Sequence, residues 1–262
     1  MNEQLLDSIP VVLIFVLFAI VTLLCYEVGF RVGRWWQDRE PGEQEGPTDM
    51  LVGSLLALMA FLLAVTMGMA ADRFDARRGL VLDQANAIGA VYMQSDYLNE
   101  PAAGQLKELL REYLPLRIAI ADKAQLQANI ERSVELQPRM WTLVKEGAHS
   151  DKVQADLVSA LGDSLTQLVA IGESRGVARN YSRVPETVLL VLLAGSALSL
   201  GMVGYSAGLK RRRSVLSAVV LVVALGVVLT IVIDLDRPNE GFVTVSQQAL
   251  LDVQTWIGLP SP

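Results

Sequence analysis

Four stretches of about twenty residues, none carrying a formal charge, constrain this chain more than any other feature. They run from Ile9 to Tyr26, Met50 to Ala71, Thr187 to Leu209 and Ser214 to Ile233. Each is close to the roughly 20 apolar residues needed to cross the hydrocarbon core of a bilayer. In lipid such a segment must satisfy its own backbone N–H and C=O groups, which a helix does internally. Pro10 and Pro185 stand at helix starts, where a missing N–H removes no hydrogen bond. Ahead of the first stretch lie Glu3 and Asp7 with no Lys or Arg, and no small-x-small cleavage site follows. The first stretch therefore reads as a retained span rather than a cleaved signal.

The expectation is an all-α integral membrane protein with four transmembrane helices and an inserted helical-bundle domain. Residues 1–71 form the first helix pair, with spans over about 9–30 and 50–71, and 184–233 form the second, with spans over about 186–209 and 214–233. Residues 72–183 form the extramembrane domain and 234–262 an interfacial tail.

The segment between the two pairs has apolar residues at helical spacing and almost no strand-like alternation. The second span continues into it without Gly-Pro punctuation, with Phe74, Val81, Ala85, Ile88 and Tyr92 on one face. Asn99-Glu100-Pro101 ends that helix, and Leu106, Leu109, Leu110, Tyr113 and Ile120 form the stripe of the next. A third helix carries Ile130, Val134, Trp141 and Val144 around Pro138. A fourth, capped by Ser150 or Asp151, carries Val153, Leu157, Leu161, Leu165 and Leu168. These stripes read as core. After Pro238, Asn239-Glu240-Gly241 reads as a turn, and an amphipathic helix with Leu250, Leu251, Val253, Trp256 and Ile257 either lies at the interface or docks on the domain.

Basic residues near the spans set orientation. Arg31, Arg34 and Arg39 follow the first span, and Lys210-Arg211-Arg212-Arg213 joins the third to the fourth. Both groups lie at the same end and belong on the cytoplasmic side, which turns the helical domain outward. Arg73, Arg77, Arg78, Arg179 and Arg183 at the other end weaken this bias, although the rule counts less for a long folded segment. Trp35 and Trp36 read as interfacial anchors.

The chain excludes several chemistries. His149 is its only histidine and Cys25 its only cysteine, so a histidine-based triad, an internal disulfide or a zinc cluster is not expected. A net charge of −6 argues against nucleic-acid binding. No nucleophile elbow, zincin motif, phosphate loop or dinucleotide fingerprint occurs. We expect no catalytic residue, no metal and no cofactor, with the lipid bilayer as principal partner.

Two mixed-charge clusters are the candidate site. Asp72 and Arg73 end the second span, and Asp234, Asp236 and Arg237 end the fourth at the same predicted side. They form either an interfacial ion-pair network, with Arg73 against Asp234 or Asp236 and Asp72 against Arg237, or the charged vestibule of an ion pathway. Asn86 is expected to bond to a neighbouring helix or to Arg117. Gly53, Ala57, Ala60, Ala64 and Gly68 share a face of the second span, and Gly201, Gly204 and Gly208 mark the third. Such residues let helix backbones approach closely, within a chain or between subunits, and Gly68, Gly201 and Gly204 are the packing candidates.

Several segments resemble a known family: AFLLAVTMGMAADRFDARRGLVLDQANAIGAVYMQSDYL from Ala60 to Leu98, REYLPLRI from Arg111 to Ile118, SRVPETVLLVLL from Ser182 to Leu193, and IDLDRPNEGFVTVSQQALLDVQ from Ile233 to Gln254. Ala71-Asp72-Arg73 with Asn86-Ala87-Ile88-Gly89, together with Asp234-Leu235-Asp236-Arg237-Pro238, is the most specific combination. Together they resemble the bestrophin-like family of bacterial membrane proteins, catalogued as a domain of unknown function. Gln84 departs from the pattern, which usually has an acidic residue there. Bestrophins are oligomeric anion channels, so the resemblance implies a multi-pass protein of the bacterial inner membrane, a homo-oligomer and an ion of unspecified identity as ligand. The alternative is a non-transporting membrane scaffold or sensor whose helical domain binds a partner.

Overall fold

A computed structural model describes residues 10–40, 45–118, 123–147, 152–180, 184–237 and 241–260. Among them every regular element is helical. The expected caps Ser150 and Asp151, the core candidates Ile120 and the Val153 side chain, and the Pro238-Asn239-Glu240 turn lie outside the described residues. The elements are α1 (Val11–Arg39), α2 (Glu45–Gln94), a 3-10 turn (Ser95–Tyr97), α3 (Ala102–Leu116), α4 (Lys123–Gly147), α5 (Lys152–Asn180), α6 (Glu186–Leu209), α7 (Val215–Asp236) and α8 (Gln248–Trp256). Four helices are long and apolar enough to cross a membrane: α1, α2, α6 and α7. Pro10 and Pro185 immediately precede α1 and α6.

The chain divides into two compact units, Met1–Arg73 with Arg183–Val243, and Phe74–Ser182 with Thr244–Pro262. α2 spans 50 residues without a break. At 1.5 Å per residue it is about 75 Å long, against about 30 Å of hydrocarbon, so only part of it can lie in a bilayer.

In the membrane unit, α1 and α6 pack backbone to backbone. A Cβ built on Gly29 would lie 2.0 Å from the Gly201 carbonyl oxygen, and one on Gly33 would lie 2.2 Å from that of Tyr205. From the other side, a Cβ on Gly204 would lie 2.1 Å from the Tyr26 oxygen and one on Gly208 would lie 2.4 Å from that of Phe30. Gly29-Phe30-Arg31-Val32-Gly33 and Gly204-Tyr205-Ser206-Ala207-Gly208 are thus two small-xxx-small motifs facing each other. α7 closes on α1 where Gly226 meets the Phe15 and Phe18 rings, and α2 reaches α6 through Met59 against Gly195. At the hairpin end, Asp49 accepts a hydrogen bond from Ser206 Oγ (2.7 Å) and pairs with Lys210 Nζ (2.5 Å), fixing the start of α2 to the end of α6. Two buried hydroxyls are satisfied within their own helices: Thr22 Oγ1 donates to the Phe18 carbonyl at 2.7 Å and Ser199 Oγ to that of Gly195 at 2.7 Å. Outward faces remain apolar, with Leu13, Leu24, Phe61, Leu190 and Leu216 all more than half exposed, as hydrocarbon-facing surface requires.

The second unit has a conventional buried core. Val81, Ala85, Ile88 and Val91 of α2 pack with Leu106, Leu110 and Tyr113 of α3, Leu136 and Met140 of α4, and Leu161, Leu165 and Leu168 of α5. Two expected core residues face solvent. Val134 is 53% exposed and Leu157 43%, while Ser133, Leu136 and Val158 point inward. At these two positions a neighbouring residue takes the inward place, while Val144, Leu161, Leu165 and Leu168 are buried as the apolar spacing suggested. The tail belongs to this unit from Thr244 onward: Leu250 and Ile257 are buried in its core, and the Trp256 ring meets Tyr92 edge-on at 5.6 Å.

Candidate functional site

The last turn of α7 and the residue that caps it carry three charged side chains, and all three are buried: Asp234, Asp236 and Arg237. Their partners explain how a carboxylate survives there. Asp236 Oδ1 accepts the backbone N–H of Val184 at 2.7 Å and lies 3.9 Å from Arg73 Nη1. It therefore joins the last turn of α7 both to the segment entering α6 and to α2. Asp234 turns the other way. Its carboxylate accepts the N–H of Phe242 (3.0 and 3.1 Å) and that of Val243 (2.9 Å). Gly241 makes this closure possible. Its φ is +141°, and a Cβ there would lie 2.3 Å from Asp234 Oδ1. Two acidic residues, separated only by Leu235, thus act as acceptors for amides that follow or precede helices, where donors would otherwise be orphaned.

Of the residues singled out in the sequence, Arg73 and Asp236 are brought together, and Asp234 and Arg237 flank them on α7. Asp72 is exposed, and no pair between Asp72 and Arg237 forms among the described residues. The stripe Gly53, Ala57, Ala60, Ala64 and Gly68 is exposed along its whole length, and a Cβ on Gly53 or Gly68 would meet nothing within 4 Å. Gly68 therefore makes no close contact inside one chain. Gly204 has no room for a Cβ, whereas one on Gly201 would make only ordinary contact, 3.6 Å from the Cys25 oxygen. Among the described residues, no three or more His, Cys, Asp or Glu side chains gather in a group able to hold a metal ion.

Asn86 needs correction. It is exposed, and Arg117 instead donates to Ser133 Oγ at 3.3 Å and to the Gly172 carbonyl at 3.0 Å. Two residues along a helix is a turn of about 200°, so the face that buries Gln84 and Ile88 points Asn86 away. The amide inside the domain is Gln84, fully buried, which accepts from Arg175 Nη1 and donates to the Tyr113 hydroxyl at 3.4 Å. Arg175 Nη1 also reaches the Arg117 carbonyl at 3.2 Å and its Nη2 the Gln247 side chain at 3.4 Å. One polar network thus links α2, α3, α5 and the residue before α8. Burial pushes the Tyr113 hydroxyl pKa up, against the opposing pull of Arg117. The sequence signal for Gln84 was its departure from the family pattern. Nothing in the sequence pointed to Arg175.

A bestrophin-like domain model matches residues 14–250. No curated protein matches in sequence. Among solved structures, a bacterial bestrophin homologue from Klebsiella pneumoniae superposes with a TM-score of 0.63 at 11% identity, covering 95% of this chain and 99% of that one. A single-substitution variant of a Klebsiella pneumoniae homologue gives 0.65 at 12% identity, covering 94% and 99%. At that identity the superposition establishes a shared fold, while the sequence model spans most of the chain. The four membrane-crossing helices and that match together place this protein in the bestrophin-like family.

Proposed function

We propose that the protein assembles as a homo-oligomer whose membrane units together enclose an ion pathway, and that none of its residues is catalytic. The observation that carries this reading is the open small-residue face of α2. Gly53, Ala57, Ala60, Ala64 and Gly68 are all exposed in the single chain, although small residues in lipid are where helices approach closely. A second copy, or the lumen that several copies surround, accounts for a face that one chain leaves uncovered. Family membership supports the same assignment. No charged side chain occupies the central turns of any span, which fits passive conduction better than a proton-coupled cycle. Asp234 and Asp236 are committed to backbone amides, so their role in this reading is to hold the mouth in shape, and the exposed Asp72 is the charge able to meet an ion there.

The test is reconstitution. Light scattering in mild detergent and in nanodiscs is expected to return a homo-oligomer, and liposomes containing only this protein are expected to conduct ions. A monomer in both media would overturn the proposal. An oligomer that conducts nothing would favour the scaffold or sensor reading.

For sidedness, the basic residues at the hairpin end support a hairpin in the cytoplasm of a bacterial inner membrane, with the helical domain outside. In a Cys25→Ala background on intact cells, Asp163→Cys should react with a membrane-impermeant thiol reagent and Glu40→Cys should not. The opposite labelling pattern would mean an inverted protein with a cytoplasmic domain.

A further inference from the structure

Where α1 leaves its apolar stretch, a shallow, open cavity of about 350 Å³ lies among Phe30, Arg31, Arg34, Trp35 and Arg213, with Glu27 and Asp38 at its edges. We propose that it is a binding site for the phosphate headgroup of an anionic glycerophospholipid.

Charge is the first argument. Three guanidiniums line the cavity, and Glu27 serves two of them. It pairs with Arg31 Nε at 2.9 Å and with Arg213 Nη2 at 2.8 and 2.9 Å. Asp38 is taken by Arg211, which does not line the cavity. Arg34 has no hydrogen-bond or ion-pair partner among the described residues. The cavity thus carries an uncompensated guanidinium beside two others that share one carboxylate. Guanidinium forks match phosphate oxygens in pairs, so a phosphate supplies the missing negative charge in the geometry these side chains favour.

Position is the second argument. Val28 and Val32, on the same stretch of helix, are 60% and 47% exposed, so hydrocarbon-facing surface runs up to the cavity mouth. Trp35 and Trp36 are exposed beside it, and the Arg39 guanidinium lies 4.1 Å from the Trp35 ring centroid. Tryptophans of this kind mark headgroup level. Phe30, buried under Arg213 with the guanidinium 4.7 Å from the ring centroid, gives the cavity an apolar floor. A basic pocket between transmembrane helices at that depth suits an acidic lipid. A zwitterionic lipid would bring a cation into a site already in surplus.

The test uses the purified full chain in detergent, with thermal unfolding followed by tryptophan fluorescence. The probes are phosphatidylglycerol, phosphatidylcholine of the same acyl chains, and inorganic phosphate. Phosphatidylglycerol should raise the midpoint saturably and the other two should not. Arg34→Gln should leave the lipid-free midpoint unchanged, because that side chain has no partner to lose, and should weaken the phosphatidylglycerol response about fivefold. Arg34→Lys should fall between Gln and the native residue. Arg212→Gln, exposed on the neighbouring turn but outside the cavity, should change the response by less than about twofold. Equal stabilisation by phosphatidylcholine would reduce the effect to acyl chains. Saturable stabilisation by inorganic phosphate would make the ligand a soluble anion. An unchanged Arg34→Gln, or an equal loss in Arg212→Gln, would replace the site with diffuse surface charge. Each of these results overturns the proposal.

Discussion

Gly204→Ala should remove most of the stability of the membrane unit, while Gly68→Ala should leave the isolated chain unaffected. The new methyl on residue 204 would stand 2.1 Å from the Tyr26 carbonyl oxygen and 3.0 Å from the Phe30 backbone nitrogen. Those are backbone atoms in the middle of a helix, so no rotamer change relieves the clash. α1 and α6 must separate, and the neighbouring contacts at Gly29, Gly33 and Gly208 are lost with them. Overpacking a well-filled site typically costs about 1–3 kcal/mol, and a clash against main chain belongs at or above the top of that range. Residue 68 offers open space within 4 Å. Thermal unfolding in detergent should therefore show a midpoint drop of many degrees for Gly204→Ala and almost none for Gly68→Ala. Light scattering on Gly68→Leu asks the separate question of assembly, since an intact chain that no longer oligomerises would place that face between subunits. A native-like midpoint for Gly204→Ala would mean that α1 and α6 are not in backbone contact.

Asp236→Ala should destabilise the fold by about 3 kcal/mol, and Arg73→Ala by clearly less. The asymmetry follows from what each removal strands. Without Asp236, the Val184 N–H loses its acceptor at 2.7 Å and Arg73 loses its counter-charge in a largely buried setting. Hydrogen bonds to charged groups contribute about 1.5–3 kcal/mol each, and an uncompensated buried charge adds its desolvation. Without Arg73, Asp236 still accepts the Val184 amide. At 3.9 Å the pair itself is loose, so the coupling in a double-mutant cycle should be about 1 kcal/mol. The double variant should then be less destabilised than the sum of the singles. Strict additivity would show that the two groups do not interact. Unchanged stability accompanied by altered ion flux would return these residues to the conduction pathway.

The sequence alone determined the number and placement of the spans. A run of about twenty uncharged residues has few other uses, and its backbone can be satisfied in lipid by helix alone. It also showed that the segments between the two span pairs are helical, because an apolar stripe that must be buried has a spacing that reports the fold. The errors there are confined to single positions, as at Val134 and Leu157, where a neighbouring residue took the inward position. Inside the membrane this signal is missing. Lipid is as apolar as leucine, so every face of a span is hydrophobic, and periodicity does not reveal which face meets another helix. Only the tertiary structure decided that Gly29 and Gly33 oppose Gly201, Gly204 and Gly208 while Gly68 stays open. The charges at the end of α7 are legible as unusual, but their partners are not. Asp236 meets an amide 52 residues earlier, and Asp234 meets two amides eight and nine residues later. Backbone donors are identical at every non-proline position, so no residue type marks them, and only the folded chain selects which N–H a carboxylate will hold.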